Sequence, residues 1–309
     1  MKQFKKYWFF AILLLFVSCE TEIDVSLPEY NSELVVEGWI EPCEAPKVSL
    51  YKSVPYLSTI NLTTLYEDVI VKDAIVTVIS GDGETDTLHL VQSDEAPLYW
   101  YYTSNTMKGK LNTSYTLKIN WNSKKYSAIT SITDTMTIDS LYLDYFQGIP
   151  IDTIKTLKLK FTDPAGQKDY YMFKVKIANA KYADRVWLTS FPIALDDVAF
   201  SGIPYTADVL RFGTSDFYKP KNLAPDEDFA YKRPFYQPGD TIYIKTAKID
   251  YPSFRFLSSA GTTMYFGVNP FTNPPQIYSN ITSETNDKCL GSWMGLASTT
   301  RQIIFTDQK

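Results

Sequence analysis

The sequence predicts an all-β protein: an immunoglobulin-like β-sandwich over residues 33–133, then a second β-rich, sandwich-like domain over 134–309 with one short helix. Three observations carry this. Short runs of β-branched and aromatic residues recur along most of the chain between clusters of Gly, Pro, Asn and Asp. Several runs alternate apolar and polar residues with period two, as half-buried antiparallel strands do. Length argues for two units, because a mature chain of about 290 residues exceeds what one core usually manages.

In chain order, residues 33–40 and 47–53 are β-rich runs separated by a Pro-bounded turn. Residues 73–80 and 85–91 flank Gly81-Asp82-Gly83-Glu84, which reads as a hairpin loop. In 98–102 the alternation sends Tyr99 and Tyr101 to one face and Trp100 and Tyr102 to the other. Residues 113–121 pair with 124–132 across Asn122-Ser123, with Tyr115, Leu117 and Ile119 on the buried face. About seven such runs fit an immunoglobulin-like sandwich, and polar Thr133-Asp134-Thr135-Met136-Thr137 marks the junction.

The second region opens with a strand over 138–146. Leu157, Leu159 and Phe161 then alternate with lysines, as do Tyr171, Phe173, Val175 and Ile177; a hairpin across 163–166 is expected between them. Residues 178–238 loosen into aromatic, Pro-containing segments expected to be long loops. A strand follows over 241–249, then a helix over 250–260 with Asp250 as N-cap and Pro252 in its first turn. The last β run is 302–305.

The N-terminus has its own logic. Lys2, Lys5 and Lys6 precede an apolar run over 7–17, far short of the ~20 residues that span a bilayer. Residues 1–18 read as a signal peptide, and Phe16-Val17-Ser18-Cys19 resembles a bacterial lipobox, with Cys19 the lipidated residue and 19–32 a tether. This places the chain on a membrane through a lipid anchor. Glu20-Thr21-Glu22-Ile23-Asp24 resembles an acidic cell-surface export signal, and a solvated linker is the plainer reading.

Removing residues 1–18 takes away three lysines and no acid, so the net charge falls from −5 to −8. That argues against nucleic acid, whose phosphates require a basic face. Cys43 and Cys289 remain beside the anchor. An oxidising envelope permits a disulfide between them, though residues so distant in sequence need not meet in space.

Nothing selects a catalytic residue, a metal site or a cofactor. The single histidine, His89, lies between two leucines on a strand and reads as a solvent-facing or rim residue. Asp82, Glu84 and Asp86 alternate across a Gly-containing loop without the spacing of a calcium loop, so a solvated turn is favoured. Loop aromatics are the better binding candidates: Phe217, Tyr218, Phe229, Tyr231, Phe235, Tyr236 and Phe271, since apolar side chains in loops dock on the protein's own body or on a partner.

Several segments, taken in order, resemble one family, the Bacteroidota lipoproteins grouped as domain-of-unknown-function family 4249. They are Leu34-Val35-Val36-Glu37-Gly38-Trp39-Ile40, Val71-Lys72-Asp73-Ala74, and Tyr126-Ser127-Ala128 followed by Ile138-Asp139-Ser140. Phe161-Thr162-Asp163-Pro164 with Tyr170-Tyr171, and Leu195-Asp196-Asp197 with Ser201-Gly202, come next. Pro238-Gly239-Asp240-Thr241, then Asn269-Pro270-Phe271 with Ser279-Asn280-Ile281, complete the series. The resemblance implies a β-rich outer-membrane lipoprotein without established activity, accessory or lid to a TonB-dependent transporter in nutrient uptake. The alternative is a standalone surface module that binds a glycan, peptide or protein through its loop aromatics.

Overall fold

The computed structural model describes residues 31–55, 69–93, 100–145, 155–179, 187–211, 235–236, 238–266 and 276–306. The chain from Ser32 onward forms one compact unit. The expected signal segment, Cys19 and most of the expected tether lie outside the described residues. The fold is all-β, with sixteen strands and one helix among the described residues.

Seven strands of the first sheet come from the N-terminal region: β1 (Leu34–Ile40), β2 (Lys47–Lys52), β3 (Ile75–Ser80), β4 (Thr85–Gln92), β5 (Trp100–Thr103), β6 (Thr113–Trp121) and β7 (Lys124–Ile132). The β3–β4 and β6–β7 hairpins form as the turn chemistry requires. Asn122 and Ser123 both adopt left-handed φ, 49° and 60°, matching the twist of a two-residue hairpin. On β6, Tyr115, Leu117, Ile119 and Trp121 are buried and the residues between them are not, as the alternation predicts.

Two strands from the far C-terminus complete this sheet: β14 (Thr282–Ser283) and β15 (Cys289–Gly295), giving the order β14-β7-β6-β3-β4-β5-β2-β1-β15. Strand β15 lies parallel to β1, from Leu34 opposite Cys289 to Ile40 opposite Gly295. Its sequence, CLGSWMG, gives no alternation because nearly every residue is buried. The sheet curls until β15 reaches β6 and β7. Trp293 Nε1 donates to the Tyr115 carbonyl at 3.0 Å, and the Gly295 amide donates to Thr130 Oγ1 at 2.7 Å. Trp293 is wholly buried in the core this encloses.

The second sheet has the order β16-β13-β10-β11-β12-β9-β8. Its strands are β8 (Ile138–Asp144), β9 (Thr156–Thr162), β10 (Tyr170–Ile177), β11 (Leu188–Asp196), β12 (Pro204–Arg211), β13 (Thr241–Ile249) and β16 (Ala297–Ile304). Two expectations are corrected here. Strands β9 and β10 are not a hairpin: β9 pairs with β8 and β12, while β10 pairs with β11 and β13. The order β9-β12-β11-β10 is a Greek-key arrangement, in which the 163–169 connection crosses the end of the sheet instead of turning back. The stretch expected to be loops holds β11 and β12. Pro192 sits inside β11, where the register against β10 shifts, so proline masks the strand in the sequence.

Helix α1 (Tyr251–Phe266) starts where Asp250 caps it: Asp250 Oδ1 accepts the Ser253 amide at 3.0 Å. It runs six residues beyond the predicted end. A small cluster joins the sheets and α1, with Met294 and Leu296 against Tyr170, Met172, Ala247 and Ile249, and with Trp39, Phe254 and Leu257 packed around it.

Candidate binding groove

The residues singled out by sequence separate cleanly. Cys43 and Cys289 are both free, which corrects the candidate disulfide. Cys289 is buried opposite Leu34 at the start of β1, and Cys43 is exposed beyond its end at Ile40. Strand rise puts roughly 20 Å between them, against the ~7 Å Cα limit for a bridge. Phe217, Tyr218, Phe229, Tyr231 and Phe271 lie outside the described residues. Phe235 and Tyr236 are corrected from contact residues to core: both are buried, and Tyr236 Oη donates to the Val209 carbonyl at 3.3 Å, which lets a tyrosine be fully enclosed.

The acidic hairpin loop is satisfied internally. Lys110 Nζ lies 2.7 Å from Asp82 Oδ2 and 3.3 Å from Glu84 Oε2, while Asp86 accepts hydrogen bonds from Ser104 and Thr106. Among the described residues no group of three or more His, Cys, Asp or Glu side chains is placed to hold a metal. His89 is exposed on β4.

What the fold does build is a groove of about 410 Å³ between the outer face of β7, the first turns of α1 and residues 278–282. Its rim carries exposed apolar surface: Ile129 is 63% exposed, Tyr251 52% and Tyr278 41%. Arg255, one helical turn after Tyr251, sets its guanidinium 4.0 Å from the Tyr278 ring centroid and 5.7 Å from that of Tyr251, a cation–π arrangement that fixes both rings. Tyr251 in turn lies 5.5 Å from Tyr170, which stacks on Phe254 at 4.7 Å.

The opposite wall is held as firmly. Asn280 exchanges two hydrogen bonds with the Trp293 backbone, at 2.7 and 2.9 Å; Ser279 Oγ donates to the Gly291 carbonyl at 2.9 Å; and Thr282 is bonded to Ser127. Among its described residues the lining includes no carboxylate, imidazole or thiol. It offers flat aromatic faces, a cation and small hydroxyls, in a volume within the range of small-ligand sites. Sequence analysis anticipated the helix but not this groove. Tyr251 and Arg255 stand i, i+4 on the expected helix but were not singled out, and Tyr278 reaches them only through the tertiary fold.

A second concentration of charge is a joint between the sheets. Lys174 and Lys245 stand directly opposite on β10 and β13, an unfavourable pairing of like charges. Glu41 relieves it: Lys245 Nζ lies 2.9 and 2.7 Å from its two oxygens, and Ser298 Oγ donates to the same carboxylate at 2.6 Å. Lys174 lies 5.1 Å from the Trp39 ring; burial pulls its pKa down, while Glu41 and Glu37 oppose that. Glu37 is exposed on the outer face of β1, although the protein packed around its carboxyl pushes its pKa up, with Lys174 opposing. Glu37 and Trp39 are on β1 and Glu41 directly follows it, so these contacts fasten the first sheet to the second.

A family model described as "Domain of unknown function (DUF4249)" matches residues 20–302, nearly the whole chain. The chain belongs to this family. The match spans strands of both sheets, α1 and the groove, and ends within β16. No curated protein matches the chain. No helix among the described residues is long and apolar enough to cross a membrane.

Proposed function

We propose that the protein is a lipid-anchored outer-membrane lipoprotein without catalytic activity, serving as accessory or lid to a TonB-dependent transporter in nutrient uptake. The observation that carries this reading is the N-terminal segment: three lysines, a short apolar run and Ser18-Cys19, followed by an acidic tether. Each acyl methylene contributes about 0.8 kcal/mol on entering the bilayer, so a multiply acylated Cys19 anchors the chain durably. The groove supports a binding role, because its described lining brings together aromatic faces and a cation. Exposed Tyr251, Tyr278 and Ile129 also favour a second reading, a standalone module that holds a glycan or peptide on the cell surface.

The test is capture of the full chain from outer membranes in mild detergent through a C-terminal tag, with Cys19→Ala as control. A TonB-dependent barrel recovered near one-to-one with the anchored protein, and lost with Cys19→Ala, supports the accessory role. Recovery of the membrane-bound protein alone sinks it. The binding-module reading is tested separately, by glycan and peptide arrays with wild type and Tyr278→Ala; loss of a bound ligand in the variant supports it.

A further inference from the structure

The second sheet is a barrel with one strand missing. All six pairings in the order β16-β13-β10-β11-β12-β9-β8 are antiparallel. Seven alternating strands leave the two edge strands, β8 and β16, running in the same direction. The sheet has curled far enough that these edges face each other across a groove of about 260 Å³ lined by Ile138, Asp139, Ser140, Leu141, Arg301, Gln302 and Ile303. Yet among the described residues β8 pairs only with β9 and β16 only with β13. Both facing edges therefore present unpaired backbone N–H and C=O groups, the feature that invites strand addition.

Direct closure would require a parallel β8–β16 pair in an otherwise antiparallel sheet. One additional strand, antiparallel to both neighbours, would instead complete an eight-stranded barrel, the size at which side chains alone fill the interior. The seam has matching chemistry. Ile138, Leu141 and Ile303 turn toward the second core and are only partly covered. Arg301 stands opposite buried Ile244, on the inward-facing side of β16, but is exposed because the edge is open, and it has no ion-pair partner among the described residues. Asp139, across the seam, accepts a hydrogen bond from Thr162 Oγ1 at 2.9 Å instead.

We propose that the β8–β16 seam is a strand-acceptor site, filled by an extended segment of a partner protein. The segment runs antiparallel to both edges, alternates apolar and polar residues, and places an acidic side chain against Arg301. This inference does not depend on the identity of the transporter or on the Tyr278 groove.

The structure supplies a probe. Residues 241–249, TIYIKTAKI, are the natural antiparallel neighbour of β16, with Ile244 opposite Arg301. A synthetic peptide of that sequence carrying Ile244→Glu sets a carboxylate at the required place. Hydrogen exchange of the full-length protein in detergent is measured with and without this peptide, with a proline-interrupted version as control. Outer-edge amides of both β8 and β16 are expected to exchange quickly in the protein alone. At peptide concentrations near a hundred times Kd they should slow together by about a hundredfold, while the control peptide leaves them unchanged. Arg301→Gln, an exposed substitution, should weaken the Glu peptide at least about tenfold but not the Ile244 parent peptide. Slow exchange of both edges without peptide, protection of one edge alone, no protection, or equal affinities in the Arg301→Gln variant would each overturn the proposal.

Discussion

Cys289 and Cys43 differ in burial, and the difference sets their chemistry. Burial, with a smaller contribution from Glu33, pushes the Cys289 thiol up to about 12, so almost no thiolate is present at pH 8. Cys43 is exposed in a left-handed turn, φ 63°. In a Cys19→Ala background, maleimide should label one thiol in the folded protein and two in urea; two fast labels in the native state would contradict the structure. Lys248 is a second test at this scale. It is almost wholly buried, with Nζ 2.8 Å from Asp169 and 2.9 Å from Asp134. Burial alone would lower its pKa, but the hydrogen bonds to Asp169 and Asp134 outweigh that and raise it above 10.5. A raised folded value means this stabilisation is fully present below pH 10.5 and is lost as pH climbs through the folded pKa. Asp169→Ala leaves the cation without its buried partner and should cost about 3–5 kcal/mol in urea unfolding at pH 7. Adding Lys248→Met should recover much of the loss; strict additivity would show that the pair is not coupled.

At the scale of elements, glycine decides whether β15 can exist. Gly291 has φ +109°, and a Cβ there would lie 1.8 Å from the Val36 carbonyl oxygen on the paired strand. Gly83, at φ +92° in the β3–β4 turn, has open space around the same position. Gly291→Ala should therefore cost more than about 4 kcal/mol, and Gly83→Ala about 1–2 kcal/mol, the backbone strain alone. Similar losses by denaturant titration would mean that β1 and β15 are not packed as closely as described. The same contrast explains what was legible in the sequence. The β6–β7 hairpin announces itself through strict alternation and Asn122-Ser123, because one face meets water and the turn needs left-handed residues. Strand β15 does not, since it is buried on both sides and its glycines serve backbone contact. Pro192 hides β11 for a different reason, a local break in register. Asp250 marked the start of α1 through capping chemistry, but no equivalent signal marked its end. The groove followed the same rule: its helical half was readable, and Tyr278, brought to Arg255 by the tertiary fold, was not.

For the whole molecule, the order of strands matters more than their number. The chain builds most of the first sheet, then all but one strand of the second, and only then adds β14 and β15 to the first and β16 to the second. A boundary near residue 134, natural from the polar junction, separates the strands in sequence but not in stability. Trp293, at the head of the largest fully buried side chains, fills the first core from a strand that arrives last. Leu296, between β15 and β16, donates its amide to the Ile40 carbonyl at 3.0 Å and packs where the sheets meet. Neither core is complete until the C-terminal segment docks, and contacts this remote in sequence carry a large loop-closure cost before any burial offsets it. Residues 32–137 expressed alone should therefore lack a cooperative thermal transition and bind a dye for exposed apolar surface. The full chain should unfold in one transition seen alike by near-UV circular dichroism and tryptophan fluorescence. A fragment that melts as sharply as the full chain would show the first sheet to be a self-sufficient sandwich. The C-terminal strands would then be an addition to it, not its keystone.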